Sequence, residues 1–240
     1  MDTGVNAYSP TDRSRVKRLH ERGKYDRETV HAILDAGMIA HIAYVIPDES
    51  NGGQPYVTPT AYWRDGDTLY WHGSSASRML RTQSAGIPVC VTVTHLDGLV
   101  LARSGFHHSI NYRSVMAFGQ ARKVEDVAEK ERELNRFIDR IYPGRNATMR
   151  GIEPQELKAT TLLAMEIEEA SAKIRTGPPK DDEPDYALDC WAGVIPIAQV
   201  IGAAVPDPLL KAGVDWPEHL KLFSEGRRLD ALLTEHAESY

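Results

Sequence analysis

Between Arg103 and Arg113 the chain places Arg103, His107, His108, Asn111, Tyr112 and Arg113 within one short segment flanked by apolar runs. A soluble strand has little packing reason to gather so many hydrogen-bonding side chains, so this segment is expected to meet a ligand or another subunit. Imidazole titrates near neutral pH, which makes His72, His107 and His108 candidates to protonate a reduced substrate. The same three histidines would also serve as hydrogen-bonded wall or interface residues. Adjacent side chains point apart, so at most one of His107 and His108 should face a given ligand. His95, Asp97, His107 and His108 lack an i, i+4 or CxxC spacing, so no metal site is expected from them.

A second cluster is His72-Gly73-Ser74-Ser75-Ala76-Ser77-Arg78. Small residues at a strand-to-helix junction leave backbone N–H groups free to face an anion. Arg78 can add a bidentate charged contact. An ordinary helix with a serine N-cap and a solvated arginine fits the same residues.

These clusters must be held by neighbouring elements. Asp26 is a good N-cap for a helix in which Val30, Ile33 and Leu34 share a face and Gly37 is the stop. Met38–Ile46, Tyr56–Trp63 and Thr68–His72 read as strands, separated by a 47–53 loop of turn formers and an Asp65-Gly66 turn. Pro59 removes a ladder donor, which suits an edge, a bulge or a ligand-facing irregularity. A short helix is predicted over Ala76–Gln83. Val89–His95 and Leu99–Ser104 read as a hairpin about Asp97-Gly98, followed by a strand Ser114–Ala121. A long amphipathic helix then starts at Asp126 and ends at Pro143-Gly144. Pro154–Ala159 reads as one helical turn and Thr161–Ile167 as a last strand. Ala172–Lys180, running into Asp181-Asp182-Glu183-Pro184, reads as a stiff extended linker. Trp191–Ala204 is apolar and strand- or loop-like, and Trp216–Tyr240 is expected to be helical. Short strands at hairpin spacing with peripheral helices favour an antiparallel barrel over alternating βαβ units. No GxGxxG follows a strand, which argues against a Rossmann site.

Composition narrows the function classes. The 240 residues carry a formal net charge of −6, so nucleic-acid binding would need a local basic patch. The one basic-rich stretch, Arg13–Arg27, is interrupted by acids and reads as a solvated arm. Two cysteines give no disulfide framework, and Cys90 sits in an apolar strand as a small core residue. The first fifteen residues lack an apolar signal region, and no run has the length of a membrane span. A cytoplasmic location is the resulting expectation, with neither nucleic acid nor membrane as partner.

The order of motifs YVTPTAYWRDGDTLYWHGSSASRML, THLDGLVLARSGFHHSINYRSVMAFG, SAKIRTGPP and WAGVIP resembles the flavin-binding split-barrel family. These are relatives of pyridoxamine 5′-phosphate oxidase, in the subgroup with nitroimidazole-resistance-type flavoproteins. The resemblance implies a mainly β fold, a split antiparallel β-barrel, in a homodimer with FMN in the subunit interface. It implies an arm over residues 1–25, a barrel domain over 26–196 and a packed, helical extension over 197–240.

It also implies site residues. Ser77 and Arg78 take the place of the family's phosphate-binding Ser-Arg-Lys, with Met79 where the lysine stands. His72, Ser74 and Ser75 lie beside them, and Arg81 or the Gly73–Ser75 backbone could replace the missing cation. Thr58, Pro59, Thr60 and Tyr62 match the strand beneath the isoalloxazine ring. Arg113-Ser114 aligns with an Arg-Gln pair of the family, whose glutamine touches the flavin and is absent here. Arg113 or Lys173 is expected to stabilise the reduced ring by charge. The substrate-gripping carboxyl-terminal motif of the true oxidases is missing near Trp191–Pro196, which argues against vitamin B6 oxidation. The implied activity is therefore reduction of a small organic substrate with electrons from NAD(P)H. The alternative is a flavin or haem carrier or sensor without turnover, because some split barrels hold haem through histidine instead of flavin.

Overall fold

Runs rich in Val, Ile, Thr and aromatic residues form ten strands among the residues described in this computed structural model, namely 6–48, 50 and 52–237. Expectations for residues 1–5, for Glu49 and Asn51 in the 47–53 loop, and for the end of the terminal helix at 238–240 lie outside the described residues. The strands are β1 (Gly23–Lys24), β2 (Ile39–Ile46), β3 (Gln54–Ala61), β4 (Trp63–Asp65), β5 (Thr68–Ser74), β6 (Pro88–Leu101), β7 (Ser109–Lys123), β8 (Thr160–Glu166), β9 (Glu169–Arg175) and β10 (Gly193–Pro196). The helices are α1 (Arg27–Asp35), α2 (Arg78–Gln83), α3 (Val127–Ile141), α4 (Pro154–Ala159) and α5 (Leu229–Ala237). Asp26 caps α1 by accepting from the Thr29 N–H at 2.8 Å, and Asp126 caps α3 by accepting from Glu129 at 2.7 Å.

Every strand pairing is antiparallel, in the order β3-β2-β6-β7-β8-β5-β4, with β9 also on β7, β1 on β9 and β10 on β6. This is the split barrel. Its split occurs within β7. Tyr112–Phe118 pair with β9, whereas Ala121–Lys123 pair with β8. Gly119 sits at the fork, where a Cβ atom would lie 2.2 Å from the Glu166 carbonyl oxygen and 2.8 Å from Met165 Cγ. Only a residue without a side chain lets the two backbones come this close.

The fork separates two apolar cores. Along β5, Leu69 and Trp71 enter the barrel interior with Ile42, Val91, Val115 and Leu163, while Tyr70 faces the second core of Trp63, Leu134 and Leu162 under α3. This is the period-two alternation of a sheet covered on both faces. The Trp71 indole N–H donates to Gln83 Oε1 at 2.9 Å, so the one polar atom of that buried ring is satisfied. Asp35 ties α1 to β4 and α3, accepting from Arg64 Nε and from Arg140 Nη2, each at 3.0 Å.

Four expectations are corrected. Asp97-Gly98 is no hairpin turn: β6 runs unbroken to Leu101, and the register against β7 shifts between Leu96 and Gly98, a bulge. Asp97 is held by Arg113 across the ladder, and a Cβ at Gly98 would lie 3.1 Å from the Ile195 carbonyl oxygen of β10. A side chain there would crowd the neighbouring strand. Residues 172–175 are no linker but the end of β9, with Ala170 and Ala172 fully buried. The predicted terminal helix shrinks to α5, because Pro217 and Gly226 punctuate the segment ahead of it. The arm is anchored: Tyr8 is 3% exposed, donates to Asp67 Oδ1 at 2.9 Å and lies beneath Arg27.

The C-terminal helix is fastened to the barrel by charge. Arg113 bridges Asp97 on β6 and Asp230 on α5, at 2.8 and 3.0 Å. Arg228 first, and Arg113 with it, hold the Asp230 carboxyl down to about 2, against an ordinary 3.8, although partial burial opposes them.

Two outcomes follow for stability. Gly119→Ala should cost about 1–3 kcal/mol, the usual range for overpacking, in urea titration; an unchanged midpoint would show that the fork has room. Because the Asp230 carboxyl is depressed in the folded chain, its attachment is complete above the unfolded value of 3.8 and lost as pH falls toward 2. Hydrogen exchange of the α5 amides should therefore accelerate over that window ahead of the barrel strands, and exchange that accelerates in step with the barrel would exclude this attachment.

Candidate cofactor sites

The residues singled out in the sequence fall into separate groups. The first is built on β3. Among the described residues this strand pairs only with β2, so it is an edge, and Pro55 and Pro59 are tolerated there without breaking an interior ladder. Thr58 and Thr60 lie opposite the buried Ile42 and Ala40, whereas Pro59 is exposed on the other face. Tyr62 is 2% exposed, and its hydroxyl donates to the Leu34 carbonyl. It is a core residue and offers no ligand surface.

The start of α2 joins this group. The Arg78 guanidinium lies over the Tyr56 ring at 4.5 Å, bringing the Ser77-Arg78 step against β3. Among the described residues no carboxylate pairs with Arg78, and Ser77 occupies the N-cap without spending its hydroxyl on a capping bond. The Ser74 hydroxyl accepts from the Ala76 N–H at 3.3 Å, and the Ser75 N–H donates to the Ala159 carbonyl at 2.9 Å. Met79 turns inward and packs against the barrel core, so the position of the family lysine has become apolar packing. Arg81 is exposed.

The second group is Arg113, Ser114 and Lys173, with Ser114 opposite Lys173 across the β7–β9 ladder. Ser114 donates to the Lys173 carbonyl at 3.3 Å. Two carboxylates already answer the Arg113 charge, so it is not a free cation. Three strand spacings separate β7 from β3 along the sheet of one chain, roughly 14 Å of sheet, and no contact joins the two groups among the described residues.

His72 stands apart from both. Its position on β5 directs it to the α3 side, with its ring 4.9 Å from Phe137 and 5.8 Å from Trp63. It lines a cavity of about 560 Å³ walled on one part by Leu134, Phe137, Ile138, Met149 and Ile152 and on the other by Asn135, Asn146, Arg150, Glu156 and Thr160. A neighbouring cavity of about 720 Å³ shares Ile138 and Met149 and is closed by Val205, Leu210 and Trp216 from the C-terminal extension. The His72 Nδ1 is buried without a hydrogen-bond partner among the described residues, and burial lowers the ring's pKa. The imidazole is therefore neutral at neutral pH, the form in which it ligates a metal. Composition along β5 carried no signal for this cavity, because α3 and the C-terminal extension supply its walls from distant sequence.

His107 and His108 lie in the β6–β7 turn. His107 Nε2 is 3.3 Å from Asp182, and His108 Nδ1 is 2.9 Å from the Ser104 carbonyl oxygen. Arg103 is held by Asp181 through its backbone N–H at 2.9 Å and its guanidinium at 3.0 Å.

Comparison with known proteins agrees with this architecture. The family model described as pyridoxamine 5′-phosphate oxidase matches residues 26–174. The flavocytochrome Anf3 from Azotobacter vinelandii is 45% identical, with a TM-score of 0.83 over 91% of this chain and 100% of that one. The FAD and heme binding protein from Mycobacterium smegmatis is 35% identical, with a TM-score of 0.80 over 87% of this chain and 98% of that one. A 5-nitroimidazole antibiotic resistance-type protein from Bacteroides thetaiotaomicron VPI-5482, 21% identical with a TM-score of 0.50 over 62% of this chain and 84% of that one, shares the fold. No curated protein matches the sequence closely enough to count as a relative. With its split barrel, its edge strand beside Ser77-Arg78 and the match over 26–174, the chain belongs to the pyridoxamine 5′-phosphate oxidase family.

Proposed function

We propose that this protein is a redox carrier or reductase that binds a flavin and a haem at separate places, taking electrons from a reduced nicotinamide and passing them to a small acceptor. The observation that carries the reading is the half-buried His72, which lines a cavity beneath α3 and whose Nδ1 has no hydrogen-bond partner among the described residues, in a chain 45% identical to a flavocytochrome. From the sequence alone the two cofactors are alternatives. The separation of His72 from the β3 edge supports both together.

The residues present fit each group. His72 offers an imidazole in a cavity where Leu134, Phe137, Ile138, Met149 and Ile152 supply apolar contact for a macrocycle and Arg150 supplies a cation for its carboxylates, a donor set that suits a haem. The β3 edge offers unpaired main-chain donors and acceptors near Thr58 and Thr60 for the polar rim of a flavin, and Arg78 offers a cation for its phosphate. When both are bound, the chemistry supplied is conversion of two-electron reducing equivalents into single electrons.

The chain's own part is to bind and orient. Arg78, braced on Tyr56, positions an anion beside β3. Lys173 supplies positive charge without a carboxylate partner among the described residues, where Arg113 does not. Because Lys173 and β3 are separated within one chain, a second copy is the natural way to join them. The outer faces of β2, β3 and β7 carry Ile39, Val57 and Met116, which are 54%, 63% and 45% exposed, apolar surface of the kind an interface covers. The flavin is placed in that homodimer seam, and FMN and FAD share the same phosphate contact. His107 and His108 belong to the turn side, where at most one serves proton transfer.

Absorption spectra of the purified protein test this reading. Wild type should show both a Soret band and flavin bands; His72→Ala should lose the Soret band and retain the flavin. Arg78→Ala should weaken flavin binding about tenfold, near 1.4 kcal/mol. A His72→Ala protein with an unchanged Soret band would remove this histidine as the haem ligand, and wild type that binds no flavin would overturn the β3 assignment.

A further inference from the structure

The N-terminal arm, the β6–β7 turn with His107 and His108, and the chain just after β9 line a cavity of about 660 Å³ apart from the β3 edge and from His72. Four cations line it: Arg18, Arg22, Arg175 and Lys180. Glu21 is the one carboxylate in the lining, and it reaches Arg22 only at 4.0 Å, the outer limit of an ion pair. Soluble surfaces normally intersperse the two signs, so such a one-sided concavity attracts an anion.

Arg175 makes the imbalance sharper. It is 8% exposed, yet its guanidinium donates only to neutral oxygens: the Asn111 side chain, Gly177 O at 3.3 Å and Pro178 O at 3.4 Å. Among the described residues no carboxylate faces it. Burial and the nearby Arg22 both weaken its hold on its proton. A buried cation without a counter-charge is unfavourable unless something else supplies that charge.

The mouth of the cavity adds a second chemistry. Phe106 is 91% exposed, its ring touching only the edge of His107 at 5.2 Å. An aromatic face left in water beside cations is what stacks on a planar base whose phosphates the cations hold. The volume falls in the range of small-molecule sites.

We propose that this cavity binds the adenosine diphosphate portion of a dinucleotide, with Phe106 against the base and Arg22, Arg175 and Lys180 around the diphosphate. FAD and NAD(P)H both carry this portion. Naming those two sources rests on the redox reading above, whereas the cation cluster does not depend on it.

The test uses ADP, which has neither an isoalloxazine nor a nicotinamide ring. Calorimetric titration of ADP into the full-length protein should show saturable binding that weakens with salt. The double variant Arg22→Ala/Lys180→Ala, with unchanged circular dichroism, should bind ADP at least tenfold more weakly, and Phe106→Ala several-fold more weakly. Arg78→Ala should bind ADP as wild type does while losing FMN affinity. If the double variant also loses the preference for FAD over FMN, the flavin is the source; if that preference holds and the KM for NAD(P)H rises, the nicotinamide donor is. Either result supports the site. Absence of ADP binding to wild type, equal binding by the double variant, or binding no stronger than that of inorganic pyrophosphate and unaffected by Phe106→Ala would overturn it. So would dissociation of a dimer by the double variant without ADP binding to wild type, which would make the cluster a subunit contact. Loss of the Soret or flavin bands with ADP binding intact would sink the redox reading alone.

Discussion

One strand cannot follow two sheets unless its backbone passes close to both, and Gly119 is where β7 meets that constraint. With a side chain there, β7 would collide with the carbonyl of Glu166, and the β8–β5–β4 arm would part from the β6–β9 arm. What hangs on each arm is different chemistry. The β5 side holds His72 against α3 in a cavity of mixed apolar and polar lining, while the other side holds the polar β3 edge, Lys173 and the cationic cavity beyond Arg175. The fork therefore keeps the histidine and the unpaired cations on different arms of the same β-sheet.

Charge allocation sharpens that division. Arg113 stands on β7 where a flavin contact was expected, but Asp97 and Asp230 consume it, and the result is a clasp for α5. Arg78 and Arg175, by contrast, have no carboxylate among the described residues. An arginine already paired twice holds structure together; an unpaired one beside a cavity is free to hold a ligand.

Local patterns made much of this legible. The apolar strand cores and the caps Asp26 and Asp126 follow from propensity and capping chemistry that act within a few residues. The failures come from long-range partners. Asp97-Gly98 has the composition of a turn, yet β10, nearly a hundred residues later, needs the missing Cβ, so the pair forms a bulge in a continuous strand. The prolines and charges that follow Ala172 have the composition of a linker, but β1 and β7 pair with Ala172 on either side and bury it. The His72 cavity was invisible for the same reason: its imidazole was noted, but its walls come from α3 and the C-terminal extension. Tyr62 shows the converse, a polar aromatic on the right strand whose hydroxyl a helix carbonyl had already claimed.

In the proposed function haem and flavin occupy different places on the same molecule, and a competition tests this: cofactor-free protein is saturated with haemin and then titrated with FMN and with FAD, the flavin followed by fluorescence quenching. Saturation with haem should leave the flavin stoichiometry unchanged. Displacement of one cofactor by the other, mole for mole, would show a single shared site and contradict it.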